Sequence, residues 1–300
     1  MGFKERLLSQ IKDVTKAFSA DDAQGIVSHA GENIFGFYSP SGGNGVTTLV
    51  VNIADALRVA KKQVAVIDFD LLHPQCFRYL SNGQEEAPAS MTDRWISPTT
   101  NLTEFAARSL DNYIAIYSAR LEDDVYTLAE LDIEAIKQFI QDVAKIYDFV
   151  LLDIHGTLND EATVASLETC TEIFTIIRPT LGDLENAYKD NLCAMNFSLG
   201  ARFVNLIQSP VHQLTLTDTE LKELDDVPFK IITNIPFVNS ITQVGQNYQL
   251  FLTSTIGTDN PSVVYRQSVK FLAEMLLNYH AQADQEIAAR KEAANGRKEK

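Results

Sequence analysis

The sequence predicts an α/β fold in which a doubly wound, mostly parallel β-sheet carries helices on both faces. Short apolar runs rich in β-branched residues alternate with segments of helical periodicity, which is typical of a parallel sheet buried on both sides. The short connections favour right-handed crossovers, as in doubly wound folds. Seven runs are predicted to be strands: residues 34–39, 63–68, 113–118, 149–154, 173–178, 202–207 and 230–235.

The segments between these runs predict helices. One begins near Val46, a second is marked by apolar residues at helical spacing over residues 133–143, and a third follows Gly182. A late helix is predicted over residues 263–279. Residues 81–101 contain Pro, Ser, Gly and Thr without clear periodicity, so we expect an irregular connection there.

The chain of 300 residues divides into three expected parts. Residues 1–30 are expected to form an amphipathic helix and a linker, and residues 31–280 one domain without internal repeats. Residues 281–300 form a charged tail rich in Ala, Glu, Lys and Arg, which has the composition to extend the last helix and to fray at its end.

Composition restricts the class of protein. Hydrophobic residues make up 45% of the chain and charged residues 22%, which is ordinary for a globular protein in water. The net charge of −15 argues against DNA as a partner, because non-specific binding to nucleic acid needs a basic face. Cys76, Cys170 and Cys193 show neither metal-binding nor redox spacing, which favours a cytoplasmic location.

The first residues predict an amphipathic helix over residues 3–18. Its apolar face consists of Phe3, Leu7, Leu8, Ile11, Val14 and Phe18, with four basic residues around it. Two interpretations stay open. The helix docks on its own or a neighbouring domain, which we favour, or it rests on the inner face of the cell membrane as a peripheral contact.

The most informative segment is a glycine-rich loop between a buried strand and a helix. The strand ends at Tyr38, and the sequence SGGNGVTT follows at residues 41–48. This is the context that a phosphate-binding loop requires, because glycines let backbone N–H groups turn inward and the helix N-terminus adds partial positive charge. Thr47 stands where a hydroxyl ligand of Mg²⁺ would be.

Carboxylates follow two further strands at the edge where open α/β sheets bind ligands. Asp68 and Asp70 end one strand, and Asp153 ends another. Oxygen ligands of this kind suit Mg²⁺. His155 follows Asp153, but no nucleophile pattern accompanies it, so we expect a structural role. His73 lies in the switch-like segment LLHPQ, where we favour an ordinary loop histidine over one that responds to nucleotide.

With these motifs, residues 30–280 resemble the MinD/ParA group of deviant-Walker phosphate-loop ATPases. The loop of that group reads KGGxGK[ST]T, and the sequence here is similar over residues 41–48. The segments VVNIADAL and VAVIDFDLLHPQ are similar to the group's first helix and to its second strand and switch. The resemblance implies that ATP or ADP binds together with Mg²⁺.

The resemblance also assigns roles to single residues. It implies that Asp70 orients the attacking water if the protein hydrolyses ATP, and that Thr47, Asp70 and Asp153 serve the magnesium ion. Residues 235–252 are similar to the stretch that lies beside the base. The implied nucleotide-binding residues are Gly42, Gly43, Asn44, Gly45, Val46, Thr47, Thr48 and Asn205, the last matching an asparagine that reads the adenine edge.

Within the group, the chain most resembles the TadZ/CpaE branch, which localises and assembles type IVb pili. Loops that read GGxGxTT are common there. The receiver-like domain usual in that branch is not expected, because about 30 residues precede the first strand. The resemblance implies a homodimer whose partners are protein components of a membrane-associated assembly.

Two lysines of the group are replaced. Ser41 stands in place of the lysine that reaches across the dimer to the partner's phosphate, and Val46 in place of the lysine that bridges the β- and γ-phosphates. Losing two charge-assisted hydrogen bonds costs on the order of 3–6 kcal/mol, or about two to four decades in affinity. We therefore expect weakened nucleotide binding and little or no hydrolysis.

Three hypotheses for function follow. The first is a nucleotide-binding scaffold that positions a membrane-associated machine of the pilus or secretion type, with weak or no hydrolysis. The second is an active positioning or partitioning ATPase in which Arg58, Arg178 or Arg266 replaces the lysines. The third is an interaction module whose nucleotide site stays empty.

Overall fold

The computed structural model describes residues 33–81, 89–96, 101–109, 111–120, 132–158, 160–178, 180, 182–183, 186–187, 190, 203–209 and 230–296. The expected helix of residues 1–30 lies outside the described residues, as does most of the segment after Gly182.

The described residues form an α/β structure around one eight-stranded sheet. The strands are β1 (Ile34–Tyr38), β2 (Val64–Asp68), β3 (Ala107–Arg108), β4 (Ile114–Tyr117), β5 (Phe149–Ile154), β6 (Glu172–Ile177), β7 (Phe203–Ser209) and β8 (Lys230–Pro236). Their order is β3-β4-β2-β5-β1-β6-β7-β8. All pairings are parallel except that of β3 with β4.

Helices precede or follow most of these strands. They are α1 (Val46–Val59), α2 (Cys76–Leu80), α3 (Met91–Ile96), α4 (Ile133–Ala144), α5 (Glu161–Thr169), α6 (Asn239–Gln246) and α7 (Asn260–Gly296). A 3₁₀ turn at Leu102–Phe105 leads into β3. None of the helices in the described ranges is both long and apolar enough to cross a membrane.

The sheet separates two apolar cores. Alternate residues of β1 point to opposite faces, so Phe35 and Phe37 join the core beneath α1 and α7. Ile34 and Tyr38 join the core beneath α3, α4 and α5. Because both faces are covered, the strands are fully buried rather than alternating between apolar and polar residues. The predicted fold class is confirmed.

Two local expectations change. The connection 81–101 is not irregular throughout, because α3 forms within it and buries Met91 and Trp95. Trp95 stacks on Phe69 with ring centroids 6.0 Å apart. The last helix is also longer than residues 263–279 and continues into the charged tail as far as Gly296.

Parallel pairing brings the ends of the central strands to one edge. Tyr38 at the end of β1 pairs with Ile154 on one side and with Thr175 on the other. Asp68 at the end of β2 pairs with Asp153 of β5. The glycine-rich loop and the two carboxylates therefore lie at the same edge of the sheet.

Candidate functional site

The glycine-rich loop connects β1 to the N-terminus of α1, as the sequence predicted. Gly43 and Gly45 have φ angles of 76° and 81°, in the left-handed region that favours glycine. The first intrahelical hydrogen bond runs from the Leu49 N–H to the Gly45 carbonyl at 2.9 Å. The N–H groups in the first turn of α1, before Leu49, have no acceptors within the helix. Their partial positive charge is suited to an anion.

Space beside the loop is open. A Cβ atom added to Gly42 or Gly43 would meet no atom within 4 Å. Together with the N–H groups of the first turn of α1, this open backbone fits a phosphate group. The roles of the individual loop residues in phosphate binding stay predictions.

Side-chain hydrogen bonds fix the loop from the protein side. The Ser39 hydroxyl donates to the Ser41 carbonyl at 2.7 Å, and Asn44 Nδ2 donates to Ser39 Oγ at 2.7 Å. Asn44 is 2% exposed, and its Nδ2 also lies 3.4 Å from the Ile176 carbonyl. These contacts join the loop to the ends of β1 and β6.

Val46 contributes no charge to the site. Its side chain is partly buried and packs against the apolar core beneath α1 and α7. Two residues further along α1, the Thr48 carbonyl accepts a 2.7 Å hydrogen bond from Asn52 Nδ2. Asn52 Oδ1 in turn accepts from the Leu252 N–H at 2.7 Å, which joins α1 to the segment after α6.

Thr47 and Asp153 form the predicted pair of oxygen donors. The Thr47 hydroxyl is hydrogen-bonded to the Asp153 carboxylate, which is 3% exposed at the end of β5. Burial raises the pKa of Asp153 to about 6, although hydrogen bonds from Thr47 and Cys76 oppose the rise. Hydroxyl and carboxylate oxygens are the hard ligands that Mg²⁺ prefers. The donor set fits that ion.

Asp68 lies next to Asp153 and is completely buried. Burial, and then the charge of Asp153, raise the pKa of Asp68 to about 8. Its oxygens accept N–H bonds from Asp70, Gln75 and Cys76 at 2.8–3.0 Å. Asp68 therefore holds the switch-like segment that follows β2. Two buried carboxylates side by side favour either a bound proton or a bound cation.

Asp70 lies further out, with a side chain that is 20% exposed. Its Oδ1 accepts the His73 N–H at 3.0 Å, and the Nδ1 atoms of His73 and His155 lie 3.9 and 3.8 Å from its two oxygens. No sequence pattern indicated that both histidines face this carboxylate. The predicted role of Asp70 toward water or metal stays a prediction.

Cys76 is a site residue that sequence reasoning missed. Its thiol donates to Asp153 Oδ2 at 3.3 Å, and burial raises its pKa well above the usual range. One ligand atom each from Asp68, Cys76 and Asp153 lie within 4.8 Å of one another. No spacing rule signals this contact, because Cys76 and Asp153 are 77 positions apart.

A cavity of about 450 Å³ adjoins the loop. Gly43, Asn44, Gly45 and Thr48 form one wall, and aromatic residues of α2 and of the segment 235–252 contribute to the others, including Tyr79, Phe237 and Tyr248. The segment that the resemblance placed beside a base thus does lie beside the loop. Flat aromatic and apolar walls suit a nucleobase.

Asn205 is placed by the backbone alone. It lies in β7, paired with Thr175 of β6 and Ile231 of β8. Its side chain lies outside the described part of the structure, so its contact with an adenine stays a prediction.

The three candidate arginines have different surroundings. Arg58 bonds to Asp55 and Asp111 near the far end of α1. Arg266 bonds to main-chain carbonyls, among them that of Gly257 at 2.6 Å. Arg178, directly after β6, bonds to Asp183, and Asp183 contacts the loop itself.

Comparison with known proteins gives one family model and many structures. A family described as an AAA domain matches residues 32–180. No curated protein matches the sequence. The fold is similar to MinD in the MinC:MinD cell division complex of Aquifex aeolicus, with a TM-score of 0.66, 14% identity and coverage of 82% of this chain and 96% of the other.

Two further structures are similar over most of their length. The septum site-determining protein MinD of Pyrococcus horikoshii, solved with Mg-ADP, gives a TM-score of 0.68 at 17% identity and covers 81% of this chain and 95% of its own. A ParA family ATPase of Chlorobium tepidum gives 0.65 at 17% identity, covering 81% and 98%. Together with the sheet and loop described above, these matches establish that the chain has the fold of the MinD and ParA ATPases.

Proposed function

We propose that the protein is a nucleotide-binding scaffold of the MinD/ParA type, which binds ADP or ATP with Mg²⁺ and hydrolyses ATP slowly or not at all. The observation that carries the proposal is the loop. Two left-handed glycines open it toward the N-terminus of α1, and the Thr47 hydroxyl at its end bonds to the buried Asp153. A similar fold was solved with Mg-ADP in the MinD of Pyrococcus horikoshii.

Magnesium would be held by Thr47 and Asp153, with Asp70 beside them. When bound, the ion would neutralise phosphate charge. It would also remove the conflict between Asp153 and Asp68, because a divalent cation favours the ionised form of both carboxylates. In this proposal, Mg²⁺ contributes a larger share of the nucleotide-binding free energy than it would in a loop with lysines.

Slow hydrolysis follows from the side chains at two positions. Phosphoryl transfer depends on positioning and on neutralising charge at the transferred group. Val46 packs into the core and Ser41 is a neutral hydroxyl that contacts Asp183, so neither supplies a cation. The bound nucleotide would then act mainly by favouring one oligomeric state of the protein, and its hydrolysis would matter little.

We infer further that the assembly is a homodimer that positions a membrane-associated machine of the pilus or secretion type, as in the TadZ/CpaE branch. A relative of this fold was solved as a MinC:MinD complex, which supports a protein partner. The net charge of −15 disfavours DNA. In this proposal the protein works in the cytoplasm, and residues 3–18 supply a peripheral contact at the inner face of the membrane.

A second candidate is an active positioning ATPase, and the place of Arg178 favours it over an empty interaction module. Arg178 is the one of the three candidate arginines whose partner, Asp183, is hydrogen-bonded to the loop. An arginine at that place is able to compensate for part of the lost lysine charge.

Two measurements separate these functions. Thermal unfolding with Mg-ADP or Mg-ATP tests binding, because a ligand present at about ten times its Kd raises stability by about 1.4 kcal/mol. Phosphate release, measured with and without lipid vesicles, tests turnover. Stabilisation with negligible turnover is the result expected for the scaffold. Turnover equal to that of a ParA with both lysines would support the ATPase, and no stabilisation by either nucleotide would support the empty module.

A further inference from the structure

Arg178 and Asp183 form an ion pair at the mouth of the glycine-rich loop. The guanidinium donates from Nε to Asp183 Oδ2 at 3.0 Å and from Nη2 to Oδ1 at 3.4 Å, and the Arg178 backbone N–H donates to Oδ2 at 3.1 Å. The Asp183 N–H is bound in turn by Thr180 Oγ1 at 3.2 Å. Hydrogen bonds therefore join Arg178, Thr180 and Asp183 directly after β6.

The same carboxylate contacts two residues of the loop. Asp183 Oδ1 accepts from Ser41 Oγ at 3.0 Å, and Oδ2 lies 3.4 Å from Asn44 Nδ2. Asp183 is 5% exposed. Burial opposes its ionisation, but the bonds from Arg178 and Ser41 outweigh burial and hold the pKa of Asp183 below its usual range. A negative charge is thus buried against the loop that is shaped for a phosphate.

This arrangement has an internal weakness. Asn44 Oδ1 is buried, and it has no hydrogen-bond partner among the residues that the structure describes. An unsatisfied buried acceptor disfavours the state that contains it. Because Asn44 Nδ2 is held partly by Asp183, the unsatisfied oxygen belongs to the arrangement in which Asp183 contacts the loop.

The charge of Arg178 lies beside the loop, and its side chain has room to reorient. Its side chain is 44% exposed, and the bonds to Asp183 use two of the five guanidinium N–H donors. A guanidinium group binds phosphate oxygens through the same pair of parallel N–H bonds with which it binds a carboxylate. A phosphate in the loop and the carboxylate of Asp183 would compete for one cation.

We propose that Arg178 is the phosphate-binding cation of this loop, and that Asp183 occupies it until a nucleotide phosphate takes its place. The inference rests on the proposed nucleotide binding and adds the residue that replaces the missing lysine charge. It assigns Asp183 the opposite role, as an internal competitor of the ligand. Until then, the Arg178–Asp183 pair holds the loop through the contacts of Asp183 with Ser41 and Asn44.

The test compares Mg-ADP affinity by calorimetry for the full chain and for three variants. Asp183→Asn keeps the size of the side chain and removes the competing charge, so it should tighten binding by about tenfold (1.4 kcal/mol). Arg178→Gln should weaken binding by about tenfold. The double variant should bind about tenfold more weakly than Asp183→Asn, because the cation that Asp183→Asn frees is then absent.

The Arg58–Asp111 pair supplies the matched control. Arg58 lies 12 residues beyond the start of α1, about 18 Å along the helix axis, and bonds to Asp111 as Arg178 does to Asp183. Arg58→Gln and Asp111→Asn make the same charge changes away from the loop, and should leave the affinity within about twofold of the unaltered chain. Thermal unfolding without ligand shows that each variant is folded.

The outcomes are distinguishable. If the pair only maintains the shape of the loop, Asp183→Asn and Arg178→Gln will both weaken binding, and the inference is overturned while the proposed function stands. Equal affinities of Arg178→Gln and the unaltered chain overturn it as well. If neither the unaltered chain nor Asp183→Asn binds Mg-ADP, the proposed function itself fails.

Discussion

Replacing Val46 by lysine tests whether a cationic side chain at this position of the loop strengthens nucleotide binding. Val46 is the first residue of α1 and follows the left-handed Gly45, so a side chain of sufficient length at this position can reach a phosphate in the loop. One charge-assisted hydrogen bond contributes about 1.5–3 kcal/mol, which corresponds to about 10- to 150-fold in affinity. We expect Val46→Lys to tighten Mg-ATP binding within that range.

The loss of the valine does not enter this comparison. Val46 is partly buried against the core beneath α1 and α7, and full burial of a valine contributes at least about 1.5 kcal/mol. A lysine stem covers part of the same surface. Any remaining loss lowers the stability of the free and the bound protein alike, so it appears in the melting temperature and not in the Kd.

Val59→Lys is the matched control, measured by the same calorimetry at the same salt concentration. Val59 ends the same helix, is 57% exposed, and lies 13 residues from Val46, about 20 Å along the axis. It adds the same charge to a protein of net charge −15. If Val46→Lys is folded and binds Mg-ATP no more tightly than Val59→Lys, the absence of a lysine at position 46 does not limit the affinity, and the reasoning is refuted.

Three further outcomes are expected. Thr47→Val should lower the free energy of unfolding of the ligand-free protein by only about 1 kcal/mol. It should also abolish the Mg²⁺-dependent part of ADP binding, which is measured by titrating ADP with and without EDTA. Without Mg²⁺, the folded protein holds protons on Asp68 (pKa about 8) and Asp153 (pKa about 6) that the unfolded chain releases near pH 4. The free energy of unfolding in urea should therefore fall as pH rises from 5 to 8, by up to about 1.4 kcal/mol per pH unit for each proton, and a flat or rising profile would contradict the burial of this pair. Gly36→Ala should destabilise the protein by about 1–3 kcal/mol, because the added Cβ would lie 2.5 Å from Cys170 Sγ. Adding Cys170→Ala to this variant should recover part of the lost stability. Equal stability of the single and double variants would argue against this contact.

The strands were predictable because the sheet is buried on both faces. Each central strand is a continuous apolar run with polar residues at its ends, so the predicted bounds differ from the observed ones by two residues at most. α3 was missed because nothing within its six residues favours a helix strongly. It is held by tertiary contacts, in which Trp95 packs between Phe69 and Phe139. β3 was missed because it has only two residues.

The site was predictable only where backbone and spacing define it. The loop and Asp153 follow from the position of short motifs at strand ends, and the sheet order brings them together. The contact of Asp183 with Ser41 joins residues 142 positions apart, and no local pattern indicates it. The sequence could therefore name Arg178 as one of three candidate cations, but it could not show that its partner contacts the loop.

The two positions at which the resemblance expects lysines have different surroundings, and the difference bears on the proposed function. Val46 packs against the apolar core, whereas Ser41 belongs to a hydrogen-bond network with Asp183. Both side chains therefore make contacts within the protein that hold the loop. Under the proposal for Arg178, a nucleotide phosphate displaces Asp183 from the guanidinium before it gains that contact itself. The affinity would then be governed by the difference between two similar interactions, which suits a protein that responds to nucleotide occupancy more than one that turns nucleotide over.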